Sequence, residues 1–211
     1  MNSKQSRARS ANKKSPVRTA VRLVKSALGA NEDAISLLKE QHEEVKALFK
    51  KIEKTTARPR KVALFEELAS KLVGHDAIER EIFYPACERG MGMTDLLGEA
   101  LVEHGVVEFS LYEADQARRG KDFAFKCKVL SEIVEHHVEE EENEFFPKVK
   151  KALGKEQLVS LGERMKARFE QALAEGDFRT PLHANLKQVL AGTLEPGRRA
   201  RAKKTPRGKA A

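Results

Sequence analysis

Long apolar runs are missing from this sequence. No stretch approaches the 18 or more consecutive apolar residues of a membrane-spanning helix, so no such span is expected. Cysteine is nearly absent too: Cys87 and Cys127 are far apart and form no CxxC. That excludes a disulfide framework and the usual thiolate zinc motifs, and it fits a reducing compartment, with the cytoplasm as the expected location. Proline is scarce, with 7 residues in 211, and no stretch reads as a strand. No HExxH occurs, so the usual zinc-protease helix is excluded. There is no Gly-rich phosphate loop and no nucleophile elbow.

What is present is charge, unevenly spread, and helical periodicity. Residues 1–28 hold eight Lys/Arg and no acid, and residues 194–211 hold seven against Glu195 alone. The arms therefore carry +8 and +6, which leaves the stretch between them at −6 within a chain of net charge +8. A mildly acidic body with two basic arms is implied. Residues 1–30 read as a largely disordered basic arm with a short amphipathic segment (Val17, Val21, Val24, Leu28), and residues 193–211 as a basic disordered tail.

Between the arms run four strong helical stripes. The first is Ile35, Leu38, His42, Val45, Phe49 and Ile52, with Asn31 as a possible N-cap. The second begins after Pro59 and includes Leu68, Leu72, His75, Glu79 and Ile82. The third, with Thr94 as its possible cap, is Leu97, Leu101, His104, Glu108 and Leu111. The fourth runs from about Asp122: Cys127, Leu130, Val134, His137, Glu141 and Phe145. A weaker fifth stripe (Leu158, Leu161, Met165, Phe169) falls in residues 153–192. Short links between long helices predict an all-α, up-down-up-down four-helix bundle over residues 31–152, with an extra C-terminal helical segment.

The bundle is written twice. "LVGHDAIEREIFYP" and "VEHHVEEEENEFFP" align at an offset of 62, which also relates His42 to His104, Val45 to Val107 and Leu68 to Leu130. Each half reads His-x32-His-x3-Glu-x5-Pro. A duplicated helical hairpin aims both copies of the motif at one central point. His and Glu at i and i+4 share a helix face, here the apolar one. Carboxylates buried there without partners are costly, so four His and two Glu are best satisfied by cations. Six ligands exceed the needs of one tetrahedral zinc. Mixed imidazole and carboxylate donors suit a pair of irons, or manganese, with Glu79 and Glu141 able to bridge. No His has a Glu three residues before it, so the Glu-x-x-His signature of ferritin-like di-iron bundles is missing. Of the neighbours, Glu108 reads as an extra ligand or, in preference, a solvent-facing or outer residue, His136 as a flank residue about 100° from His137, and Tyr84 as either packing or an approach to the metals. Glu139 to Glu144 reads as a solvated acidic face from which Glu141 alone points in, and His183 stands outside the repeat.

"LLKEQHEEVKALF", "HDAIEREIFYPA", "EHGVVEFSL" and "HVEEEENEFFPKV" resemble the hemerythrin-like, or HHE cation-binding, domain family over about residues 33–152. The resemblance implies a four-helix bundle with a non-haem di-iron centre ligated by His42, His75, Glu79, His104, His137 and Glu141. Two departures stand out. Oxygen-carrying hemerythrins have a second His on helix three and an Asp on helix four, where this chain has Glu108 and Glu141. The family also often has Glu-Glu where this chain has Glu79-Arg80. The first departure points away from reversible oxygen carriage, toward relatives acting in oxygen, peroxide, nitric oxide or iron response. Catalase-like peroxide decomposition is the enzymatic form of that expectation. The basic arms support a different reading: sequence-independent nucleic-acid association, with a structural or vestigial metal site. The N-terminal arm alone also fits an organelle-targeting segment.

Overall fold

The computed structural model describes residues 33–191. The basic arms, the Asn31 cap and the amphipathic segment around Val17–Leu28 lie outside them. Among the described residues the structure is helical throughout, with no strand: α1 (Ala34–Lys54), α2 (Arg58–Ile78), α3 (Tyr84–Met91), α4 (Asp95–Ala117), α5 (Phe123–Glu140), α6 (Phe146–Glu175) and α7 (Arg179–Leu190). No helix among the described residues is long and apolar enough to cross a membrane.

Local chemistry sets the helix starts. Asp33 caps α1, its Oδ1 accepting the Ser36 N–H at 2.9 Å. Thr94 caps α4 as expected, its hydroxyl accepting from Leu97 N–H at 3.2 Å. Pro59 sits in the first turn of α2, where its missing N–H costs nothing. The four helices α1, α2, α4 and α5 pack in a ring, α1 on α2, α2 on α4, α4 on α5 and α5 on α1, which is the expected four-helix bundle.

Two five-residue π-helical turns break the regular spiral. Glu79–Phe83 joins α2 to α3, and Glu141–Phe145 joins α5 to α6. They too are related by the offset of 62. In each, the N–H of the sixth residue (Tyr84, Phe146) reaches back to the carbonyl of the Glu. The next residue is Pro85 or Pro147, which has no N–H and whose ring crowds the carbonyl four residues before it. A widened turn relieves that crowding, and such turns recur at functional sites.

The core is split by a polar layer. One apolar cluster gathers Val45, Phe49, Phe65, Leu68, Leu111, Phe123 and Leu130, with Phe65 edge-on to Phe123. The other holds Leu38, Ile78, Phe83, Tyr84, Leu97, Phe145 and Phe146. The fifth stripe is the far part of α6, which breaks at Gly154 (φ 72, ψ 170) and folds back along α2 and α1. Leu158, Leu161 and Met165 thereby join the second cluster. Gly74 lets that segment approach closely: a Cβ there would meet the Phe169 ring at 3.0 Å. α7 then packs on α4, inserting Leu182 and Leu186 into the first cluster.

The backbone of Gly154 lies where side chains are strained. Gly154→Ala is expected to lower unfolding free energy by about 1–3 kcal/mol, measured by urea denaturation.

Candidate metal centre

The polar layer contains all six expected ligands. His42, His75, Glu79, His104, His137 and Glu141 are each no more than 8% exposed, and the two halves of the repeat are cross-wired. Glu79 Oε2 lies 3.1 Å from His75 Nε2 in its own half and 3.2 Å from His104 Nε2 in the other. Glu141 Oε2 lies 3.7 Å from His137 Nε2 and 3.5 Å from His42 Nε2. Each carboxylate therefore spans one imidazole from each hairpin. Two sets of donor atoms fall within 4.8 Å of one another: His42, His75, Glu79 and Glu141, and Glu79, His104 and His137. Glu79 belongs to both.

Every imidazole is held from behind. Nδ1 donates to Gln41 Oε1 from His75 (2.7 Å), to Glu103 Oε2 from His137 (2.8 Å), to Glu142 Oε1 from His42 (2.8 Å) and to Asp76 Oδ1 from His104 (2.6 Å). With Nδ1 committed as a donor, Nε2 is left as a lone pair facing the layer, the tautomer a metal-ligating His requires. Aromatic rings fix the planes. His42 stacks on Phe146 at 6.0 Å, and His104 meets Tyr84 edge-on at 5.3 Å. Positions 84 and 146 are repeat-related, and each supports the other half's imidazole.

Four of the inward-facing atoms have nothing to bond. Both oxygens of Glu79, Oε2 of Glu141 and Nε2 of His42 lack hydrogen-bond partners, and the Nε2 atoms of His104 and His137 converge to 3.1 Å. Lone pair facing lone pair in a buried layer demands protons or cations. Proton affinities record the same conflict. Burial, reinforced by Glu79, pushes the Glu141 carboxyl well above the usual carboxylate range. Burial acts on Glu79 as well, but His75 and His104 outweigh it and hold that carboxyl well below. Burial and then His75 lower His42 far below an ordinary imidazole. Burial opposes a charge on His104, yet the hydrogen bond to Asp76 and the Glu79 carboxylate close by raise it to about 10. Cations seated among these donors would satisfy every orphaned atom at once. The residues fit a cation site of mixed nitrogen and oxygen donors.

Tyr84 resolves toward the site. Its hydroxyl donates to Glu141 Oε1 at 3.0 Å and lies 2.8 Å from His104 Nε2. Burial, with Glu141 and Glu79 beside it, keeps that phenol protonated well beyond its usual range. Glu108 is buried rather than solvent-facing, its Oε2 accepting from Arg80 at 3.0 Å, and it falls in neither donor set. His136 is an exposed flank residue, 3.7 Å from Glu103 and 3.5 Å from Glu140. His183 is remote from the layer, against the Tyr112 ring. The acidic run needs one correction: Glu142 as well as Glu141 faces inward, because the widened turn starting at Glu141 lets consecutive residues reach opposite nitrogens of His42. The outer carboxylates and amide were not apparent from helical stripes. Gln41 and Glu103 could have been found, since they too are 62 residues apart, each just before a repeated His. Asp76 could not, because its repeat partner is Val138.

A four-helix bundle with a buried, duplicated His/Glu layer defines a cation-binding helical bundle. The hemerythrin HHE cation binding domain model matches residues 33–149, more than half of the chain, and the chain belongs to that family. Among solved structures, the crystal structure of a hemerythrin HHE cation binding domain-containing protein from Mycobacterium kansasii is similar, with TM-score 0.60 and 26% identity over 77% of this chain and 94% of that one. No curated protein matches significantly.

Partners that orient metal-ligating imidazoles typically control affinity by 10–100-fold. Glu103→Ala is expected to weaken metal binding by about that factor, read by competition with a chelator of known affinity. His136→Ala should leave binding nearly unchanged.

Proposed function

We propose that this protein holds a non-haem di-iron centre, with His42, His75, His104 and His137 as terminal ligands and Glu79 and Glu141 as bridges, and that it acts on a small oxidant such as oxygen, peroxide or nitric oxide. Manganese is the alternative metal for the same donors. The observation that carries this reading is the cross-wiring of the two carboxylates, each between imidazoles of both halves. A single ion has no use for two such spans. When bound, iron supplies the one-electron redox chemistry that no side chain in the layer provides.

The chain's own residues provide the rest. A cavity of about 40 Å³ adjoins His42, His75, His104 and His137, walled largely by Val45, Leu72, Val107, Leu111 and Val134. That volume accommodates a ligand of two or three heavy atoms, since one water needs roughly 10–15 Å³ on the same measure. Its apolar walls disfavour charged or larger substrates. Tyr84, fully buried, holds a proton beside Glu141. Cys87 and Cys127 are buried free thiols, which supports a reducing, cytoplasmic setting.

Protein expressed with ample iron is expected to contain about two irons per chain by elemental analysis, with near-ultraviolet charge-transfer absorption. His75→Ala/His137→Ala should lose both. Absence of stoichiometric metal from the unaltered protein would overturn the di-iron reading. Oxygen release from hydrogen peroxide above that of free iron would assign catalase-like turnover; none would leave ligand response or iron handling as the role.

The charge of the arms favours a second reading, electrostatic contact with nucleic acid. DNA binding that falls steeply with salt, survives His75→Ala and is lost when residues 1–28 and 194–211 are removed would support it.

A further inference from the structure

His104 is oriented by a device that the repeat does not contain. Glu142, from the second half, accepts from Nδ1 of His42 in the first. The residue related to Glu142 by the offset of 62 is Arg80, a cation that cannot do the same for His104. Asp76 takes the role, from a position whose repeat partner is Val138. Both of its oxygens are occupied: Oδ1 accepts from His104 Nδ1 and from Arg80 Nε, each at 2.6 Å, and Oδ2 accepts from Asn185 Nδ2 at 3.0 Å. Asn185 belongs to α7, outside the four-helix bundle.

We propose that α7 is part of the metal centre's positioning machinery: Asn185, with Arg80, clamps Asp76 and through it aims His104 Nε2 at the ligand layer. The inference deepens the di-iron reading and rests on it for its metal-binding consequence. Asp76 is only 7% exposed, so an Oδ2 left without a partner cannot turn freely to water, and the carboxylate rotates to recover one. That rotation carries the Oδ1–Nδ1 bond with it. The place of α7 does not depend on Asn185, because Leu182 and Leu186 are buried in the core and Arg179 grips Asp115 at 3.0 and 2.8 Å. The clamp therefore acts on orientation rather than on docking. It also makes the two halves unequal. Glu142 is backed by Lys39 at 3.4 Å, a side chain 45% exposed, whereas the carboxylate behind His104 is tied into a part-buried network that includes α7.

The test pairs nuclear magnetic resonance of the metal-free protein with anaerobic ferrous iron titration, on the full chain and on Asn185→Ala, Asn185→Asp and Asn185→Gln. Asn185→Ala removes the donor, Asn185→Asp replaces it with a repelling carboxylate of the same size, and Asn185→Gln keeps it. A protected His104 Nδ1–H resonance is expected in the unaltered protein and in Asn185→Gln, and its broadening or loss in the other two. In the titration, one of the two iron affinities should fall about tenfold in Asn185→Ala and Asn185→Asp, the other staying within a factor of two or so. The metal-free melting temperature should be nearly unchanged in Asn185→Ala. An unchanged His104 resonance in Asn185→Ala and Asn185→Asp would overturn the proposal whatever the metal does. So would a uniform loss of both affinities together with a lowered melting temperature, which would make Asn185 only a helix anchor. Failure of the unaltered protein to take up two irons would instead overturn the di-iron reading, leaving the resonance data to decide the clamp alone.

Discussion

Two carboxylates and four imidazoles are buried in the middle of an apolar bundle, and the rest of the structure is organised around that cost. Glu79 and Glu141 are 0% and 2% exposed, and three of their four oxygens find no hydrogen. In a low-dielectric interior such groups are tolerated only when opposite charge is supplied. The apolar clusters on either side provide the stability, the widened turns set the carboxylates facing inward, and outer acceptors turn each imidazole so that its free nitrogen faces the same point. A cation-binding layer is the arrangement in which these features stop conflicting.

Duplication explains how so short a sequence builds such a layer. Each hairpin contributes two imidazoles and a carboxylate, and the ring packing of α1, α2, α4 and α5 interleaves them. The carboxylate of one half meets the imidazole of the other, and the ring at position 84 or 146 packs against that imidazole. Neither hairpin has a complete site by itself. The metal layer and the bundle are therefore mutually dependent, and binding free energy at the layer is folding free energy for the pairing of hairpins.

Symmetry is then broken where chemistry is involved. Tyr84 stands opposite Phe146, so one half alone carries a phenol next to a carboxylate. Arg80 stands opposite Glu142, and Asp76 opposite Val138, so the two outer carboxylates come from different turns and answer to different cations. Arg80 also reaches Glu108, whose pKa burial and Asp76 raise to about 7 despite that cation. Asp76, Val138 and Glu108 line the apolar cavity, and they make its sides chemically distinct.

The helical stripes, the offset of 62 and the identity of the six inward donors were all legible in the chain, because an amphipathic helix has to place its buried residues at fixed intervals and a duplicated hairpin has to place them twice. The family followed from the same residues. Tertiary structure alone decided the rest. That Glu142 joins Glu141 depends on a π-helical turn, which no 3.6-residue period anticipates. That Asp76 stands behind His104 depends on helices 28 residues apart in sequence crossing at that level. That Asn185 touches Asp76 depends on Gly154 turning α6 back so that α7 returns to the bundle. Periodicity determines which face of a helix is buried; only packing determines which buried face meets it.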